Sequence, residues 1–206
     1  MDRAFPCDSD RRQRILRATE RLLHRYGLAK TTIADIAREA EIAVGTVYLD
    51  FASKDAILSE LSTDQHRSVL EAMRAAAAQE GRPYRDRLRA LFDARAAAFL
   101  DLADAGVHAC DLLHCRSRVV QEAHERFLDE EHRLVAELLR SGARAGELDV
   151  LDPEPAARVL LRAYASFSPP WLLAGPRADV EATLRAMHDL VLYGLVRRPP
   201  AAKARG

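Results

Sequence analysis

No stretch of this chain approaches the roughly 20 consecutive apolar residues needed to cross a bilayer. Its N-terminus, MDRAFPCDSDRR, lacks the apolar core of an export signal. Three cysteines, Cys7, Cys110 and Cys115, form no even framework for disulfides. A net charge is missing as well, because 31 Lys and Arg balance 31 Asp and Glu. A chain without surplus positive charge is no general polyanion binder, so any affinity for nucleic acid must come from where its charges are placed. Neither an internal repeat nor a convincing strand can be found. These absences lead to the expectation of a soluble cytoplasmic protein with no membrane partner.

What the chain has is apolar mass in helical order. Its 206 residues are 49% hydrophobic, enough for a real core and too much for a disordered chain. The length allows one large domain, or a small one joined to a larger one. Nearly every segment carries apolar residues at helical spacing. The first helix is expected from about Ser9 to Tyr26, with Ile15, Leu16, Leu22 and Leu23 on one face and Gly27 as its C-terminal cap. Further helices are expected from Ser53 towards Gly81, from Pro83 to about Ala105, around Val107–Cys115, and from about Val119 to Ala145. Another runs from Pro153 to Phe167 before Pro169-Pro170, and the last from about Ala178 to Val196. RPPAAKARG then reads as a disordered tail.

Between the first helix and the fourth lies the most informative segment, Thr31–Lys54: TTIADIAREAEIAVGTVYLDFASK. Thr32 and Asp35 form a capping box, and Ile33, Ile36, Ala37 and Ala40 give the helix behind it one apolar face. A turn at Glu41-Ile42-Ala43 leads to a second short helix, from about Val44 to Asp50. Val47 and Phe51 are expected to point inward, leaving Ala43, Val44, Thr46, Tyr48 and Leu49 to face a partner. Gly45 is small enough for close backbone approach. Two short helices in this order are the arrangement that lays one helix into the major groove of DNA. Residues 1–58 carry ten Lys or Arg against nine Asp or Glu, a net charge of only +1. Arg11, Arg12 and Arg14 lead into the first helix, and Lys30 and Lys54 flank the motif.

The Ile36-Ala37 pair, the segment Val44-Gly45-Thr46-Val47-Tyr48, and Phe51 followed by Ser53-Lys54 resemble the TetR family of bacterial transcription regulators. The resemblance implies an all-α fold of about nine helices. A three-helix helix-turn-helix DNA-binding domain (residues 1–53) would be followed by a larger helical ligand-binding and dimerisation domain (54–197) and the tail (198–206). It implies a ligand-responsive regulator, a repressor rather than an enzyme, with no resident cofactor. Phosphate contacts would map to Thr31 or Thr32, Tyr48 and Lys54, and base edges would be met by Ala43, Val44, Gly45, Thr46 and Leu49. The last two long helices, apolar over a broad arc, would pair with a second copy, so that the dimer reads a palindromic operator of double-stranded DNA. Burial within one subunit is the alternative explanation of that arc.

The chain departs from the family's usual motif at several positions, among them Val44, Leu49 and Asp50, where basic, proline or aromatic residues are often seen. Glu41 stands where a turn glycine is usual, and Ala43 where a serine commonly caps the recognition helix. With no Arg, Lys, Asn or Gln in that helix, bidentate reading of guanine or adenine is closed to it. Contacts to thymine methyls, a hydroxyl contact from Thr46 and minor-groove contacts from an Arg11-Arg12 arm remain. Asp50 is expected to face away from DNA.

For the effector, the resemblance implies a pocket in the body that takes a hydrophobic or amphipathic small molecule. The candidate walls are Phe92, Phe99, Leu102, Leu113, Phe127, Phe167 and Trp171, each of which could equally be plain core. His108, Cys110, Asp111, His114 and Cys115 form the chain's one chemically rich knot. His108 and Asp111 would belong to the polar rim of the pocket. A metal or thiol-redox sensor is the other reading, although no recognised metal spacing is present and no metal is assigned.

Overall fold

The computed structural model describes residues 8–104, 112, 115, 117–173 and 175–194. Among them there are eight α-helices and no strand: α1 (Asp8–Tyr26), α2 (Ile33–Glu39), α3 (Val44–Asp50), α4 (Lys54–Ala77), α5 (Tyr84–Asp104), α6 (Arg118–Arg144), α7 (Pro153–Ala163) and α8 (Arg177–Tyr193). Short 3₁₀ turns at Tyr164–Phe167 and Trp171–Leu173 join the last two helices. The expected helix over 107–115 lies outside the described residues, apart from Leu112 and Cys115.

Two cores organise the helices. In the headpiece, Ile15, Leu16, Leu22 and Leu23 of α1 meet Ile36, Ala37, Val47 and Phe51. The same core takes in Ile57, Leu58 and Leu61 from α4, and Leu112 and Val120. A boundary drawn at residue 53 therefore falls inside a continuous apolar cluster. The body core joins Val69, Leu70 and Met73 of α4 to Leu91, Phe92 and Phe99 of α5 and to Phe127, Val135 and Leu139 of α6, with Tyr164, Phe167 and Leu184 closing it.

Helix α4 belongs to both cores. Its 24 residues make a rod about 36 Å long, and Ser53 caps its first turn by accepting a hydrogen bond from Ala56 N at 3.1 Å. The start of α6 fastens to the same turns. Ser117 Oγ donates to Asp55 Oδ2 at 2.9 Å, and Ser59 Oγ donates to the Val119 carbonyl at 3.2 Å. The headpiece is thus held to the body along α4 and at the α6 N-terminus.

Candidate nucleic-acid interface and effector clefts

Helix α2 starts as its sequence demands. Thr32 Oγ1 accepts from Asp35 N at 3.2 Å, while Asp35 Oδ2 accepts from Thr32 N at 3.1 Å, completing the capping box. The bonds from Thr32 hold the Asp35 carboxyl below the ordinary carboxylate range. Glu41 then takes φ +55, the left-handed conformation that glycine adopts without strain. Ile42 N donates to the Ala37 carbonyl at 3.0 Å and folds the chain back towards α3. Ala43 opens α3 with extended backbone and no side-chain capping bond.

One face of α3 is sunk into the headpiece through Val47, with Phe51 behind it. The other is open: Leu49 is 75% exposed, Tyr48 53% and Val44 43%, and Ala43 and Gly45 are exposed beside a half-buried Thr46. Nothing lies within 4 Å of where a Gly45 Cβ would be. This surface offers methyl and aromatic groups, two hydroxyls and no cation. Its chemistry suits apolar contact with thymine and hydroxyl contact with phosphate or bases.

The structure corrects the reading of Arg11 and Arg12 as a free minor-groove arm. Both lie within α1. Arg11 donates twice to Asp50, and Arg12 pairs with Glu60, donates to the Asp50 carbonyl at 2.9 Å and stacks over Phe51 at 4.1 Å. Their guanidinium groups brace the α1–α3–α4 junction and hold Asp50 in internal pairing. Thr31 is corrected too, since its side chain is buried and Oγ1 donates to the Gly27 carbonyl at 2.9 Å. Thr32 remains exposed at the α2 N-terminus, where backbone N–H groups point outward. Lys54 donates one hydrogen bond to the Leu28 carbonyl at 2.6 Å and is only half-buried.

The candidate pocket walls fare differently. Phe92, Phe99, Phe127 and Phe167 are 2–4% exposed and pack in the body core, with Phe92 stacked on Tyr164 at 3.8 Å between ring centroids. Trp171 is 69% exposed. His108, Asp111 and Leu113 lie outside the described residues, as do Cys110 and His114 of the same knot. Leu102 does line a cleft, one of about 700 Å³ between α1, α4 and α5. Leu61, Val69, Ala72, Ala94, Ala97 and Ala98 give this cleft an apolar floor, with Gln13, Arg17 and Glu20 of the headpiece at its rim. Gln65 also lines it, and its buried Oε1 has no hydrogen-bond partner. A second cleft, of about 450 Å³, lies between α4 and α6 and is lined by Ser62, His66, Cys115, Val120, Gln121 and His124 among others.

Several buried polar groups gave no signal in the sequence, because the partners are 24 to 95 residues apart. Arg95 on α5 pairs with Glu131 on α6 and donates to Ser168 Oγ at 2.8 Å. Tyr164 OH meets His188 Nδ1 at 2.8 Å, and His188 Nε2 meets Asp93 Oδ1 at 2.9 Å, tying α5 and α8 to the turn after α7. Burial pushes the Tyr164 hydroxyl well above the phenol range. His66 Nε2 faces His124 Nδ1 at 3.3 Å. Burial and then the neighbouring ring push His66 down to about 4, and burial lowers His124.

Comparison with known proteins agrees with this geometry. Residues 15–61, covering α1 to the first turns of α4, match the bacterial regulatory proteins of the tetR family. The chain is 30% identical over 184 residues to the HTH-type transcriptional regulator BetI of Burkholderia thailandensis, covering 88% of this chain and 91% of that protein. Among solved structures, it resembles FadR of Thermus thermophilus, a TetR family transcriptional repressor in complex with lauroyl-CoA. There the TM-score is 0.66 at 28% identity, over 94% of this chain and 100% of that one. A TetR/AcrR family regulator from Thermobifida fusca superposes with a TM-score of 0.74 at 25% identity, over 91% and 100% of the two chains. The chain belongs to the TetR family of bacterial transcriptional regulators.

Proposed function

We propose that this regulator is a repressor that leaves a palindromic operator when a small amphipathic molecule binds its body. The observation that carries the reading is the sharing of α4 between the two cores: Ile57, Leu58 and Leu61 belong to the headpiece, Val69, Leu70 and Met73 to the body. A rod packed at both ends transmits a tilt from one to the other. The 700 Å³ cleft touches α1, α4 and α5 at once, so an occupant there bears directly on the angle between headpiece and body. Its apolar floor suits an alkyl or aromatic portion, and the partnerless Gln65 carbonyl asks for a donor. The lauroyl-CoA held by FadR of T. thermophilus makes a fatty acyl thioester the first effector to try.

Dimerisation through α7 and α8 completes the reading. Val159, Leu190 and Tyr193 are exposed on these two helices, beside half-buried Leu160, Leu161, Met187 and Val191. Two copies joined there would set two α3 helices roughly 34 Å apart, one turn of DNA. The test is binding of the purified protein to DNA upstream of its own coding region, measured against salt and then against lauroyl-CoA. A steep fall of affinity with salt, a stoichiometry of two chains per site and release by the acyl thioester are expected. Salt-independent binding, or no binding to any promoter fragment, would overturn the DNA reading. Binding that no acyl thioester relieves would overturn that effector class alone.

A further inference from the structure

The His66–His124 contact sits in the second cleft, between α4 and α6, apart from the one assigned above to the effector. The contact is long for a hydrogen bond. The 3.3 Å between Nε2 of His66 and Nδ1 of His124 lies just beyond the 2.7–3.2 Å typical of N–H···O bonds. The ring centroids, 5.3 Å apart and inclined by 41°, are closer than they would be if the two nitrogens pointed straight at one another. The two ring nitrogens therefore meet at an angle and not end to end. With metal–nitrogen bonds of about 2.0–2.1 Å, two ligands on a tetrahedral edge stand roughly 3.3–3.4 Å apart, whereas an octahedral edge would bring them to about 2.9 Å. The pair already holds the tetrahedral spacing.

We propose that His66 and His124 are two ligands of a zinc-class divalent ion seated in the cleft between α4 and α6. The rest of the site fits that role. His66 is stacked on Phe127 at 4.5 Å with an interplanar angle of 18°, which fixes its ring, and its far nitrogen lies 3.5 Å from Ser62 Oγ. The Arg95 charge felt by His124 is opposed by Glu131 and Glu125. Among the described residues, no three His, Cys, Asp or Glu side chains are grouped to hold an ion by themselves. The 450 Å³ cleft leaves room for water at the remaining positions, with the Cys115 thiol on its wall. An ion there joins α4, which carries the headpiece, to the helix whose N-terminus already grips it.

Full-length protein stripped with a chelator is titrated with Co2+, whose visible absorption reports tetrahedral coordination, and with Zn2+ by calorimetry. One ion per chain with tetrahedral bands is expected, with at least about tenfold weaker binding in His124→Gln and unchanged binding in His132→Gln on the same helix. Nitrogen chemical shifts of the histidine rings in the unsubstituted protein give a second measurement that needs no variant. Zn2+ must move Nε2 of His66 and Nδ1 of His124. Absence of binding, octahedral bands, binding retained in His124→Gln, or Zn2+ shifts confined to other histidines would each overturn the proposal. None of these readouts depends on DNA or on an acyl thioester.

Discussion

Arg11 holds Asp50 through both carboxylate oxygens, Nε to Oδ2 at 2.6 Å and Nη2 to Oδ1 at 3.0 Å. The first helix thereby closes on the last residue of α3 and neutralises the only charge that helix carries. A free carboxylate at this point would repel a DNA backbone.

Replacing Arg11 with Ala is expected to cost about 1–3 kcal/mol of stability, the range for a hydrogen-bonded charge left without its partner. DNA affinity should fall on every sequence, and Asp50→Ala added to Arg11→Ala should recover part of both losses. Urea unfolding and fluorescence anisotropy on the single and double variants measure the coupling. Additive effects would show that the pair contributes nothing.

Glu41 and Ala43 are two places where α2–α3 is less stable than it needs to be. Glu41→Gly relieves a left-handed residue, worth about 1 kcal/mol less a few tenths for the freer unfolded chain. Ala43→Ser supplies the missing cap, worth about 1 kcal/mol. Each is expected to raise the melting temperature by about 2–4 °C in a chain of this size, read by circular dichroism.

Gly142 in α6 runs the other way. Alanine is the better helix former by about 1 kcal/mol, but its Cβ would stand 2.5 Å from Leu148 Cδ1, 2.8 Å from Leu148 Cγ and 3.0 Å from Tyr84 Cβ. Overpacking of this kind costs about 1–3 kcal/mol and outweighs the propensity gain, so Gly142→Ala should lose up to about 2 kcal/mol. A melting temperature equal to or above that of the parent would contradict this.

At the DNA face, Lys54→Ala should reduce the slope of log affinity against log salt by about one and weaken all sequences alike. Tyr48→Phe should likewise weaken binding without changing which sequence is preferred. On this reading, replacing thymine by uracil in the half-sites removes the methyl groups that Val44 and Leu49 would meet, and selectivity should fall. Unchanged binding at every thymine would sink the methyl-contact reading.

The capping box carries a pH dependence of known sign. Asp35 has its folded pKa depressed below its unfolded value near 3.8, so its contribution is present above that pH and is lost as pH falls through the lower folded value. Asp35→Asn should flatten headpiece stability across that acid range, measured by urea midpoints from pH 5 downward.

Much of this was legible in the chain. The capping box at Thr32–Asp35, the inward Val47 and Phe51 and the bare outer face of α3 follow from residues within four positions of one another, where helical geometry alone sets the neighbours. The turn glycine missing at Glu41 was readable as a departure, and the structure shows the residue taking the glycine's conformation. Arg11 and Arg12 were misread because nothing local reveals that their partners, Asp50 and Glu60, lie 39 and 48 residues away. Phe92, Phe99, Phe127 and Phe167 could be recognised as apolar but not sorted between core and cavity wall, since that depends on what the facing helices bring.

The sequence by itself determined most of the described helices, their order, the capped two-helix motif and the family, because periodicity and caps are short-range. Only the tertiary structure decided which charges cancel, where clefts remain, and that two histidines 58 residues apart stand face to face. Those outcomes depend on how α1, α4, α5 and α6 are set against one another, and side-chain complementarity across helices leaves no period along the chain to read.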